Sequence, residues 1–234
     1  MKSEMMDFEA AEKEIGYSFH DRKHLIRAFT HKSYSNENPK AGRDSYERYE
    51  FLGDAILEYL CSKELFERYP KKTEGELTKM RASLVCEYTL SQITRELGFG
   101  QFLSLSHGEE LTGGRNRSSI LCDLFESVLG AVYLDGGMPP AESYVNRLLM
   151  KDIESRSVFY DAKSRLQEYT QAREIRLTYR LLDATGPEHN RTYHVACMLG
   201  NRQAGEGYGA SKKMAEQIAA HETLKNLPPD RPRK

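Results

Sequence analysis

The sequence predicts an all-α domain over residues 1–155 followed by a small α+β domain of α-β-β-β-α order over residues 160–229. Three observations predict it. Apolar residues recur at helical spacing from residue 8 to residue 150, with turn-like breaks between segments and no sustained strand alternation. Near residue 160 the pattern changes: TYHVACML sets Tyr193, Val195, Cys197 and Leu199 on alternate positions, as a strand with one covered face requires. The charge balance changes too. Residues 1–160 carry 21 Lys and Arg against 26 Asp and Glu, whereas residues 161–234 carry 13 against 9. The net charge of -1 therefore hides an acidic front and a basic tail, which implies different partners for the two parts.

The helical segments of the front domain are FHDRKHLIRAFTH, FLGDAILEYLCSKELFERY, LTKMRASLVCEYTLSQITRELG and SILCDLFESVLGAVYLD. The breaks are NENPKAGRD, RYPKKTEG, GFGQFLSLSHGEELTGGRNRS and DGGMPP. In the tail, DAKSRLQEYTQAR reads as a helix, LTYRLLDATG and RTYHVACMLGNRQAGEGYG as strands, and SKKMAEQIAAHETLKNL as the closing helix before a frayed PPDRPRK. The opening residues mix acids into every apolar stretch, so neither a signal peptide nor a membrane anchor is expected, and the protein should be cytoplasmic. Cys61, Cys86, Cys122 and Cys197 form no C-x-x-C pair, which argues for reduced core thiols over a zinc site or a disulfide framework.

ERYEFLGDAILEYL, residues 47–60, poses a physical conflict. At 3.6 residues per turn Glu47, Glu50, Asp54 and Glu58 form one stripe with Phe51 at its edge, while Leu52, Ile56, Leu57 and Leu60 make the remainder apolar. A second largely apolar helix, ILCDLFESVLGAVYLD, carries Asp123 and Glu126 three apart on one face. Packed face to face, the two helices would gather Glu47, Glu50, Asp54, Asp123 and Glu126 in one pocket. So many like charges in a low dielectric repel strongly, and a divalent cation resolves the conflict. Oxygen-only ligands point to Mg²⁺, with Mn²⁺ substituting, and to phosphoryl-transfer chemistry; a ferritin-like di-iron centre is excluded because no Glu-x-x-His occurs. No small-molecule cofactor and no general-base histidine are needed. His20, His24, His31 and His107 are expected at the surface or at helix ends.

These segments resemble the bacterial ribonuclease III family. ERYEFLGDAILEYL is similar to its nuclease signature, TEGELTKMRASLV and GEELTGGRNRSSILCDLFESVLGAVYLDGG follow in the family's order, and the tail, with LQE, GPEH and GYGASKKMAEQIAA, resembles its double-stranded-RNA-binding domain. The resemblance implies a homodimeric, Mg²⁺-dependent endonuclease that cuts both strands of duplex RNA, leaving 5′-phosphate and 3′-hydroxyl ends with a short 3′ overhang, and that processes rRNA and other precursors. It implies metal-binding carboxylates at Glu50, Asp54, Asp123 and Glu126, with Asp54 and Glu126 catalytic. Glu47 is a supporting acid, Glu74 helps to position RNA at the mouth of the cleft, and Phe51 enters a socket on the second subunit. Glu58 is a departure with no implied role.

In the tail, Lys212 and Lys213 stand in the first turn of a helix, where the macrodipole disfavours cations and welcomes phosphate. Ser211 is the expected N-cap. The geometry of A-form RNA then assigns Ser164, Gln167, Glu168 and Gln171 to one minor groove and the loop around Pro187 and His189 to the next. Arg115 and Arg117, just before the second acidic helix, are candidates for phosphate contacts. The alternative is a catalytically silent duplex-RNA-binding protein, against which all four carboxylates stand. A DNA nuclease is disfavoured because these contacts want 2′-hydroxyls.

Overall fold

Local capping explains where most helices of the chain begin. In the computed structural model, which describes residues 7–38, 44–153, 162–186, 191–209 and 211–227, α1 (Phe8–Ile15) starts at the Asp7 side chain, which accepts the Ala10 N–H. Asp21 and His31 do the same for α2 (Arg22–Ala28) and α3 (Lys32–Glu37). The long α4 (Glu47–Arg68) is followed by α5 (Glu74–Leu84), which opens with a capping box between Thr73 and Glu76. Next come α6 (Glu87–Glu96), the short α7 (His107–Leu111), α8 (Ser118–Gly136) and α9 (Met138–Leu148). Contacts divide the chain into two units, Met1–Ile153 and Glu154–Lys234.

α8 is the central helix of the first unit. Leu121, Leu124, Phe125, Val128, Leu129 and Val132 are all buried, and α2, α4, α6 and α9 pack around it. The apolar stretch over residues 77–98 reads as one helix in the sequence but breaks at Val85–Cys86. The Thr89 hydroxyl, at 2.7 Å, and the Cys86 thiol, at 3.4 Å, donate to the Ser83 carbonyl and take the place of a continuing helical N–H. The break GFGQFLSLSHGEELTGGRNRS also has more structure than a turn: 3-10 segments at Phe99–Phe102 and Gly114–Asn116 flank α7, and Phe99 and Leu103 enter the core.

The second unit is α-β-β-β-α. α10 (Ala162–Gln171) precedes an antiparallel sheet of order β1-β2-β3, formed by β1 (Leu177–Thr185), β2 (Thr192–Leu199) and β3 (Arg202–Gly209), and α11 (Lys212–Lys225) closes it. Leu199 pairs with Arg202 across a two-residue turn in which Gly200 has φ 61°. α11 lies directly on β3: a Cβ at Gly207 would stand 2.2 Å from the Ala215 carbonyl oxygen, so only glycine permits this approach. Ala162, Leu166, Cys197, Ala219 and Ala220 form the small core. Among the described residues no helix is long and apolar enough to cross a membrane.

Candidate active site

Two glycines bring the acidic helices together. A Cβ on Gly53 of α4 would lie 1.8 Å from the Glu126 carbonyl oxygen of α8, and one on Gly130 of α8 would lie 2.2 Å from the Tyr49 carbonyl oxygen of α4. The helices therefore cross backbone to backbone, with Gly53 one residue before Asp54 and pressed against Glu126. The sequence signal for this crossing, passed over in the reading of apolar periodicity, is a glycine inside each acidic helix, since such a residue costs helix stability and usually marks a close approach.

The crossing sets up a gradient of burial. Glu47 and Asp54 are exposed, Glu50 and Asp123 half-buried, and Glu126 only 9% exposed. Burial, then the negative charges of Asp54, Asp123 and Glu50, push Glu126 up to about 8. Burial and the charges of Asp123 and Glu47 push Glu50 up to about 7, against the opposing charge of Lys32. Burial raises Asp123 as well, while its bond to Tyr46 opposes the rise. Among the described residues none of Glu50, Asp54, Asp123 and Glu126 forms an ion pair with Lys, Arg or His. Clustered, part-buried carboxylates without a cation are the environment that a hard divalent ion fits.

Three neighbours escaped the sequence. Lys32 of α3 reaches the cluster's edge, with Nζ 3.3 Å from Glu47 Oε1. Tyr46, buried just before α4, donates its hydroxyl to Asp123 Oδ2 at 3.2 Å. Cys122, expected as a core thiol, is only half-buried, and its Sγ lies 4.0 Å from Glu126 Oε1, within 4.8 Å of possible ligand atoms on both Asp123 and Glu126. Burial and the adjacent carboxylates hold this thiol protonated. His31 stands at a helix end, as expected, but is buried rather than at the surface: its Nδ1 accepts the Ser33 N–H and caps α3.

Arg115 and Arg117 both find partners within the first unit. Arg115 donates to the Glu110 carboxylate and to the carbonyl oxygens of Gly100 and Leu103, while Arg117 pairs with Glu109 and reaches Thr112. Both guanidiniums thereby brace the turn before α8, because the acids of α7 lie within their reach. Glu74 is not a loop acid but the exposed first residue of α5, and it accepts the Thr78 hydroxyl at 3.0 Å. Glu58 leaves the acidic row for Arg81, whose Nε is 2.7 Å away. Phe51 is 81% exposed and is no core residue; Tyr59 and Phe66 continue an exposed apolar strip along α4.

In the second unit Ser164, Gln167, Glu168 and Gln171 are all exposed on α10 at i, i+3, i+4, i+7 spacing, and hence on one face. Lys212 and Lys213 are exposed in the first turn of α11, where Ser211 accepts the Met214 N–H at 3.2 Å. Pro187 and His189 lie outside the described residues.

A helical domain with converging carboxylates, joined to an α-β-β-β-α domain whose helices present polar and basic residues, defines the class: a nuclease for duplex RNA. Comparison with known proteins agrees. Residues 21–153 match the family described as ribonuclease-III-like, and residues 162–227 match the double-stranded RNA binding motif. Ribonuclease 3 of Bacillus cereus and that of Bacillus anthracis are each 44% identical over 223 residues, 94% of this chain and 91% of theirs. The crystal structure of the nuclease domain of ribonuclease III from Campylobacter jejuni, 38% identical, superposes with a TM-score of 0.58 over 63% of this chain and 97% of that one. The chain belongs to the ribonuclease III family, endoribonucleases that act on double-stranded RNA.

Proposed function

We propose that this chain hydrolyses both strands of duplex RNA at a Mg²⁺ centre held by Glu50, Asp54, Asp123 and Glu126, with Mn²⁺ able to substitute. The observation that carries this reading is the Gly53–Gly130 crossing, which gathers carboxylates from two helices; among the described residues these four acids form no ion pair, and Lys32 reaches only Glu47 at the edge. A divalent ion there supplies activation of water and stabilisation of the departing oxygen. The protein's part is to keep the buried Glu126 and half-buried Asp123 oriented, while Asp54 stays exposed to an arriving RNA. The products are 5′-phosphate and 3′-hydroxyl ends with a short 3′ overhang, and rRNA and other precursors are the cellular substrates, in the cytoplasm.

One cluster serves one scissile phosphate, and a duplex has two antiparallel strands, so cutting both calls for an isologous homodimer. The exposed Phe51 supports this: an aromatic 81% exposed at the edge of the acidic row is costly in water and useful in a partner's socket. The supporting acid Glu47 and Glu74 at the cleft mouth complete the nuclease site. In the second unit α10 meets one minor groove and Lys212 and Lys213 meet the phosphates between grooves. Arg115 and Arg117, braced by the acids of α7 just before α8, add phosphate contacts beside the nuclease site.

The test uses an end-labelled RNA duplex of about two A-form turns, long enough for the binding footprint, with wild type and Glu126→Gln in Mg²⁺ and in chelator. Wild type should cut both strands with staggered ends only in Mg²⁺, and the variant should shift the duplex in a gel without cutting it. Wild-type binding without cleavage in Mg²⁺ or Mn²⁺ would establish the catalytically silent binding protein instead.

A further inference from the structure

Tyr46 touches both acidic helices. Its carbonyl accepts the N–H groups of Tyr49 at 2.8 Å and Glu50 at 2.9 Å, so it closes the first turn of α4; its own N–H donates to the Thr30 carbonyl at 2.8 Å. Tyr46 is 1% exposed, and its ring packs edge-to-face with that of His31 at a centroid distance of 5.5 Å. From this fixed position the hydroxyl crosses to α8 and donates to Asp123 Oδ2 at 3.2 Å. It is the only side-chain donor to that carboxylate among the described residues.

We infer that Tyr46 is a positioning residue for the metal centre: its hydroxyl occupies one oxygen of Asp123 and fixes the carboxylate plane, so that the other oxygen is presented to a divalent cation. The inference rests on the metal-site reading above. A phenol suits the task physically. A lysine here would compete with the cation, whereas a neutral donor satisfies one carboxylate oxygen and leaves the charge of the cluster for the ion. A rigid ring has little freedom to swing away, and the backbone of Tyr46 is tied at both ends. Tyr46 thus couples the start of α4, and with it Glu50, to Asp123 of α8.

The test measures Mn²⁺ binding to the full chain without RNA, by the electron paramagnetic resonance of free Mn²⁺, for wild type, Tyr46→Phe, Asp123→Asn and the double variant. Phenylalanine keeps the ring and removes only the oxygen, and thermal unfolding without metal verifies that the variant folds. Tyr46→Phe should weaken Mn²⁺ binding roughly tenfold, as loss of an outer ligand partner does, and should weaken it no further once Asp123 is Asn. Tyr46→Phe raises the Mg²⁺ concentration for half-maximal cleavage by a similar factor, and saturating Mg²⁺ restores the rate. Equal Mn²⁺ affinity in wild type and Tyr46→Phe would overturn the inference, as would the same loss in the Asp123→Asn background, which would mark an effect of packing. A wild type that binds no Mn²⁺ would overturn the metal-site reading itself, and this inference with it.

Discussion

The two units carry function in opposite ways. In the first, the groups proposed for the chemistry oppose folding: Glu126 is buried among like charges, and two helices are pinned together through glycines that helices ordinarily avoid. In the second, the groups assigned to RNA are exposed on α10 and at the start of α11, where they cost the fold almost nothing. The chemical site demands a desolvated, preorganised pocket, and the binding face demands only reach and charge. Mutations should therefore trade stability against activity in the first unit and leave stability untouched in the second.

The crossing of α4 and α8 is where the largest effect is expected. Gly53→Ala puts a methyl group where the Glu126 carbonyl oxygen stands 1.8 Å from the Cβ, and backbone on both sides cannot yield as a side chain end would. The variant should lose about 3 kcal/mol or more and its cleavage activity together, as thermal unfolding and duplex cleavage would show. If Gly53→Ala folds with wild-type stability, the close crossing is wrong and so is the convergence of the carboxylates.

The buried acids next predict a pH dependence. In the folded state Glu126 titrates near 8 and Glu50 near 7, both above an ordinary 4.5, so between pH 4.5 and 8 the folded protein holds more protons than the unfolded chain. Stability from this source is fully present below about pH 4.5 and is lost as pH rises through 7 and 8. Without metal, the difference in unfolding free energy between Glu126→Gln and wild type should grow over that range in favour of the variant, to on the order of 3 kcal/mol or less. Adding Mg²⁺ should stabilise wild type and narrow the gap. A gap that stays constant from pH 5 to pH 8 would mean that Glu126 is not desolvated among acids.

The same opposition decides how much was legible in the sequence. The acidic row of α4 and the pair Asp123 and Glu126 were visible because acids in apolar helices contradict the pattern around them, and Lys212 and Lys213 because cations contradict a helix start. What raised no contradiction stayed hidden. Tyr46 reads as an ordinary aromatic, and its partner Asp123 is 77 positions away. Lys32 meets Glu47 only because the Tyr46 N–H bonds the Thr30 carbonyl and brings the starts of α3 and α4 together, and Arg115 finds Glu110 only once α7 forms. The break between α5 and α6 depends on the Thr89 hydroxyl reaching the Ser83 carbonyl, a bond that apolar periodicity does not encode.

The second unit should show the converse of Glu126. Replacing Lys212 and Lys213 together by Gln should weaken duplex binding and lower the slope of log affinity against log salt by about two. The fold should tolerate it or gain a few tenths of a kcal/mol, because the cations no longer oppose the α11 dipole. Anisotropy titrations at several salt concentrations, with melting curves alongside, measure both. An unchanged salt slope would remove these lysines from the phosphate contacts, and a large loss of stability would give them a part in the fold.

The smallest effect belongs to Glu58, the last acid of the α4 row. It continues the helical stripe of Asp54 but departs from the family pattern, and the structure turns it toward Arg81, at 2.7 Å. Both side chains of that pair are partly exposed, which limits the pair to about 1 kcal/mol or less. Arg81 also donates to the Ser62 hydroxyl at 2.8 Å, so it stays anchored when Glu58 loses its charge. Glu58→Gln should therefore cut duplex RNA at the wild-type rate, with the same Mg²⁺ requirement and a slightly lower melting temperature. Should it instead lose cleavage as Glu126→Gln does, the functional row extends a full turn beyond Asp54. The Arg81 pair would then be a resting arrangement that RNA or metal breaks.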